Sequence, residues 1–142
     1  MLVLNPYISQ LDPELHTFAY VRQKSVFLLS TVLTAASKAF HPVIYPQLYQ
    51  HSQDLSMLAF RRGTKSVETI QAMLILTYWK ESQDDRVFTS VGYTIRMCMD
   101  LGWHKLGEAR TLTQEMKTEL QQREERNIER TWLVLFVYDR RY

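Results

Sequence analysis

An all-α fold is the class this sequence predicts, an irregular array of about five to six helices. Three observations lead there. Apolar residues recur at helical spacing through most of the chain. Only four Gly and four Pro occur in 142 residues, and apart from Gly92 they fall at plausible boundaries of the periodic stretches. The longest unbroken apolar run, Trp132 to Tyr138, could be a buried strand, but no other segment makes a convincing partner for it.

Residues 1–11 read as an irregular lead-in. Asp12-Pro13 is a good helix start, because Asp can accept from the orphan amides and proline lacks only an amide that would stay unpaired there. The pattern then runs to about Phe40 with a break near Gln23, and Val26, Leu29, Val32 or Leu33, and Ala36 supply its apolar stripe. His41-Pro42 ends it, since proline disfavours helical backbone in the residue before it.

A second helix is expected from about Pro46 to Arg61, with Leu48, Leu55, Leu58 and Ala59 on its apolar side. Gly63 suits the left-handed position after it. Ser66 caps a third helix, with Glu68 near the positive end of its dipole. Ile70, Met73, Leu74, Thr77 and Tyr78 form a stripe there that Ala72 and Leu76 widen, so contact on more than one side is expected.

Lys80 to Asp85 is a polar loop. Asp85 is expected to cap a fourth helix through Leu101, with Val87, Val91, Ile95 and Cys98 on one face and Met97 and Leu101 nearby. Gly102 stops it. Thr113 is expected to cap a last helix running to the chain end. Its first half is charge-laced, with a Glu119–Arg123 pair at i,i+4, and its second half is apolar all round.

Composition narrows the function. Apolar residues make up 46% and charged residues 23%, ordinary values for a globular protein, and the aromatics argue against disorder. A net charge of +2 gives no electrostatic case for nucleic acid or an anionic membrane. The basic groups Arg61-Arg62-Lys65 and Arg140-Arg141 are small enough to be solvated surface. A single cysteine, Cys98, allows neither an intrachain disulfide nor a thiolate zinc site, and reads as a small buried hydrophobe. The longest apolar run falls far short of a membrane span, and the first residues lack the basic start of a signal peptide.

A search for catalysis finds no complete set. His16, His41, His51 and His104 have no partners at zinc-ligand spacing on a helix. There is no nucleophile elbow and no Gly-rich phosphate loop. Asp84-Asp85 is the nearest approach to a carboxylate pair, but the position one turn on is Phe88, and a loop with a helix cap explains the pair. Asp139-Arg140 reads as a surface ion pair or an orienting pair at a helix crossing. No cofactor, catalytic or metal residue is expected in this chain.

Three blocks carry a family resemblance. Ser66-Val67-Glu68-Thr69-Ile70-Gln71-Ala72 leads into Met73-Leu74-Ile75-Leu76. Val91-Gly92-Tyr93-Thr94-Ile95-Arg96-Met97 leads to Asp100-Leu101-Gly102-Trp103-His104-Lys105. Glu129-Arg130-Thr131-Trp132 leads through Phe136 to Asp139-Arg140. In their order and spacing these resemble the fungal-specific transcription factor domain, the middle homology region of zinc-cluster activators. The resemblance is firm over residues 66–142, and residues 1–65 fit the variable early helices. Departures are Leu133, where the family pattern has a second Trp, and Thr94, where it commonly has Ala.

The resemblance implies a regulatory domain of a nuclear transcription factor, acting on RNA polymerase II transcription through effectors, intramolecular contacts or partner proteins. Contact with DNA, and the zinc, would belong to a separate N-terminal six-cysteine cluster that this sequence lacks. The chain is then expected to be the N-terminal half of a larger helical domain. As motif positions the resemblance singles out Gln71, Gly92, Arg96, Leu101, Gly102, His104, Arg130, Trp132, Asp139 and Arg140.

Two structural expectations accompany these. A close helix–helix approach could offset the cost of Gly92 inside a helix. Arg96, Arg130, Asp139 and Arg140 could form a buried or half-buried polar network that fixes helix register. The alternative function is a free-standing effector-binding or adaptor domain whose apolar pocket is lined by Trp79, Tyr93, Trp103 and Trp132.

Overall fold

The computed structural model describes residues 11–106 and 117–141. Six α-helices form there: α1 (Phe18–Lys24), α2 (Val26–Phe40), α3 (Tyr45–Arg62), α4 (Val67–Tyr78), α5 (Val87–Asp100) and α6 (Glu119–Arg141). A 3-10 turn, Trp103–Lys105, follows α5. Among the described residues there is no strand.

α4 is the hub. It packs against α2, α3, α5 and α6, and every residue from Thr69 to Ile75 is buried. A helix enclosed this way needs a broad apolar surface, which is why its stripe is wide in the sequence. α1 and α3 also pack on α2, and α6 packs on α5. The core runs through Leu28, Val32, Ile70, Leu74, Ile75, Val91, Met97, Cys98, Trp103 and Leu135.

The first expected helix is cut into three pieces. Asp12 does accept from the amides of Glu14 (3.0 Å) and Leu15 (3.4 Å), but only one turn follows, closed by His16 N–H to Asp12 O at 2.7 Å. The Thr17 side chain then caps α1 through the Tyr20 amide, and the break expected near Gln23 falls at Ser25, which caps α2 through the Leu28 amide. Hydroxyls that accept from an amide three residues on restart a helix wherever the tertiary fold wants a new direction.

The buried face of α2 is also displaced from the expected stripe. Val26 is 62% exposed and Leu33 43%, whereas Phe27, Leu28, Thr31, Val32, Thr34 and Ala35 are buried. The reason is the hydroxyl residues. Thr31 donates to Leu28 O, Thr34 to Ser30 O and Ser37 to Thr34 O, each at 2.8 Å, so these small side chains enter the interior already satisfied. Thr34 Oγ1 also lies 2.8 Å from Ser52 Oγ, joining α2 to α3. Hydropathy scores such residues as surface, so a stripe drawn from apolar residues alone misses them.

The remaining ends follow their sequence signals with one exception. Gly63 closes α3 at φ 63°, with Thr64 N–H reaching back to Ala59 O at 3.0 Å. Ser66 caps α4 through the Thr69 amide. Asp85 does not cap α5. Arg86 stands at the N-cap with no side-chain cap bond, and just ahead of it the Asp84 carboxylate accepts from the Arg86 amide at 3.0 Å and from the Arg86 guanidinium.

α6 opens with a reciprocal pair: Gln121 N–H donates to Thr118 Oγ1 and Thr118 N–H to Gln121 Oε1. The expected cap at Thr113 lies outside the described residues. Along the first half of α6, Glu124 meets Lys24 and the Tyr20 hydroxyl, and Arg123 meets Glu14 and Glu119. Those charges tie α6 to α1 and the turn before it.

Candidate functional site

Two features stand out beyond the apolar core and the buried hydroxyls. The first is a buried polar cluster where α4, α6 and the 12–16 turn meet. Gln71 has no exposed surface. Its Nε2 donates to Asn127 Oδ1 at 2.8 Å and to Thr131 Oγ1 at 3.0 Å, both on α6. Thr131 in turn donates to Asn127 O at 2.8 Å.

His16, 1% exposed, sits beside Gln71, with Nδ1 2.9 Å from the Asp12 amide nitrogen. Burial holds the imidazole below its ordinary value of 6.5, against the opposing pull of the Asp12 backbone and Gln71. Burial also pushes the Asp12 carboxyl up. The amides of Glu14 and Leu15 and the charges of Arg130 and Arg123 outweigh that and leave it below its ordinary value. Arg130 Nη1 lies 3.8 Å from Asp12 Oδ2, an ion pair too long for a hydrogen bond.

The second feature is a cleft of about 460 Å³ between α3 and α5, floored by Met73, Leu76 and Thr77 of α4. At one end the rings of Phe60 and Tyr93 meet at 5.1 Å, and Met57 stands beside them with 66% of its surface exposed. At the other end Asp84 is saturated. It accepts two bonds from the Arg86 guanidinium, at 2.9 and 2.7 Å, one from the Arg86 amide and one from the Tyr49 hydroxyl at 3.2 Å. The Arg86 guanidinium holds that carboxyl well below the usual range. Lys80 Nζ donates to the carbonyls of Asp84 and Glu81.

The ten motif positions do not form one site. Gln71 and Arg130 belong to the polar cluster. Trp132 is half-buried against the core. Gly102 adopts φ 77° and turns the chain so that Trp103 enters the core, while Leu101 and His104 stay exposed. The expected register network does not form, because Arg96, Asp139 and Arg140 are exposed. Arg140 lies over the Phe136 ring of its own helix, and Arg130 pairs with Asp12 instead. Among the described residues the close approach expected at Gly92 is also absent, since a Cβ placed there meets nothing within 4 Å.

Of the four aromatics expected to line a pocket, only Tyr93 borders the cleft. Trp103 is buried, and Trp79 and Trp132 pack against the core. Sequence reasoning missed His16, Asn127 and Thr131, and it missed Tyr49, Lys80 and Arg86. Asn127 and Thr131 sit at i,i+4 within a charged stretch, and that spacing on the face opposite the charges was the available signal.

Among the described residues no group of His, Cys, Asp and Glu is arranged to hold a metal, and no helix is long and apolar enough to cross a membrane. A six-thiolate zinc cluster does not fit a chain whose one cysteine is fully buried in the core.

The family model for the fungal specific transcription factor domain matches residues 7–142. This chain belongs to that family. The fungal specific transcription factor domain therefore takes in the early helices as well as the three motif blocks, and its family is one of transcription factor domains rather than enzymes. Among curated proteins the domain is similar to Protein priB of Lentinula edodes, 39% identical over 141 residues. That alignment covers 98% of this chain and 22% of the relative, so the chain spans about a fifth of its relative's length. No solved structure matches the domain.

Proposed function

We propose that this chain is a regulatory module of a fungal transcription factor that controls RNA polymerase II transcription in the nucleus without itself reading DNA. The observation that carries the proposal is the family match over residues 7–142. Physical features support it. Net charge is +2, and within the basic group at the end of α3 Lys65 is already paired with Asp100. A surface of that kind supplies few of the phosphate contacts on which DNA affinity depends. The module would act through contacts with other parts of the full-length factor, with the transcription machinery or with a small effector, and zinc would be held elsewhere.

A test joins the chain to an unrelated DNA-binding module in a reporter strain. Reporter output should change relative to that module alone. The isolated chain should show no sequence-specific DNA complex at physiological salt with competitor present. A specific complex formed by the chain alone would sink the proposal, and so would an abundant, folded fusion that leaves output unchanged. The cleft is also what a free-standing effector-binding domain needs, and that second reading survives only if the fusion is silent.

A further inference from the structure

The cleft between α3 and α5 has a chemistry that the regulatory reading does not use. Its two ends differ. Tyr49 and Asp84 mark one end and Phe60 and Tyr93 the other, so the cleft follows α3 for eleven residue steps, about 16.5 Å at 1.5 Å per step. The Phe60 end is apolar, with Met57 and Phe60 more than half exposed and Met73 and Leu76 beneath. Large apolar side chains left open to water around a concavity are the usual lining of a ligand site, and a volume of about 460 Å³ lies within the range of such sites.

The polar end has an imbalance of donors. Both Asp84 oxygens are occupied by Arg86 and Tyr49, so that carboxylate has little left to offer a ligand. Arg86 spends Nε and Nη2 on Asp84 and keeps its Nη1 hydrogens. Lys80 spends two hydrogens on backbone carbonyls and keeps a third. A second lining carboxylate, Asp54, is engaged by the Gln50 amide, so the groups with donors to spare are the two cations beside Asp84, and these favour an anion over a cation.

We propose that this cleft binds an apolar carboxylic acid, its ring or chain between Phe60, Tyr93 and Met57 above Met73 and Leu76, and its carboxylate against Arg86 Nη1 and Lys80 Nζ. The binding stands on the cleft's own geometry; that it acts as a signal rests on the regulatory reading.

The test uses the whole chain and two fluorescent probes of one shape, 4-(1-pyrenyl)butyrate and the neutral 4-(1-pyrenyl)butanol. The acid should bind saturably, with a Kd at least ten-fold below that of the alcohol. Amide shifts in a nitrogen–proton correlation spectrum should cluster on α3, the 80–86 loop and the first half of α5. Lys80→Met and Arg86→Gln should each narrow the gap between acid and alcohol, and Phe60→Ala should weaken both about ten-fold. Circular dichroism checks that each variant is folded.

Equal affinity for acid and alcohol overturns the proposal, as does the lack of saturable binding or a set of shifts elsewhere. So does a cleft protected by self-association, seen as binding that strengthens on dilution, which would make a second copy of the chain the occupant. The reporter assay decides the regulatory reading separately, so either result can fail without the other.

Discussion

Gln71 is the residue on which α4 and α6 agree. Its carboxamide supplies both hydrogens to α6, so a leucine of similar size would leave Asn127 Oδ1 buried without a donor. A buried polar atom stripped of its partner costs about 1–3 kcal/mol. Gln71→Leu should lose that much in urea unfolding, read as a lower midpoint at unchanged slope. Gln71→Leu with Asn127→Leu should lose less than the sum of the singles, because the second change removes the orphaned acceptor. Additive losses would mean that the two side chains act independently.

His16 adds a dependence on pH. Its folded-state affinity for protons lies below its ordinary 6.5, so the unfolded chain binds the proton more readily. The stability that neutral His16 contributes is thus fully present above pH 6.5 and is lost as pH falls below it toward the folded value. The melting temperature should fall between pH 7 and 5.5, and His16→Gln should flatten that slope. An unchanged slope would place the titration on another group.

At the scale of elements, the two helical-end and mid-helix glycines should respond oppositely to alanine. Gly92 has helical backbone and open space where a Cβ would go. Gly92→Ala should therefore stabilise α5 by about 0.5–1 kcal/mol. Gly102 stands at φ 77°, so Gly102→Ala should destabilise by about 1 kcal/mol despite equal room. Thermal melts of the pair check both signs. These elements also show what the sequence made legible. Helix number, the stops at Gly63 and Gly102, the cap at Ser66 and the enclosed character of α4 all follow from local chemistry. The break near Gln23 follows too, but the separate start at Thr17 does not, because Thr17 is an ordinary helix-surface residue until the packing asks for a turn.

The face of α2 was misread because four hydroxyl residues carry its burial. The polar cluster and the cleft were the least legible, since each joins residues distant in sequence: Gln71 meets Asn127 56 residues on, and Tyr49 meets Asp84 35 residues on. Periodicity reports one helix at a time and carries nothing about which helices meet.

At the scale of the whole molecule, α6 is covered on one side only. Leu135 is fully buried, while Leu133, Phe136 and Val137 are 65%, 49% and 62% exposed along one face. An apolar stripe of that kind drives association. In solution at micromolar concentration the chain should sediment as a species larger than a monomer, and Leu133→Glu with Val137→Glu should shift it toward monomer without lowering its melting temperature. A wild-type monomer at every concentration would show that the stripe is too small to matter. Cys98 offers a way to watch the same molecule breathe. It is the sole thiol, has no exposed surface, and burial pushes it up to about 12. In the closed fold it is neither reachable nor ionised, so each alkylation event records one detachment of α5 from the core. The unmodified chain thereby contains its own clock for opening, and a molecule seated between α3 and α5 would slow it.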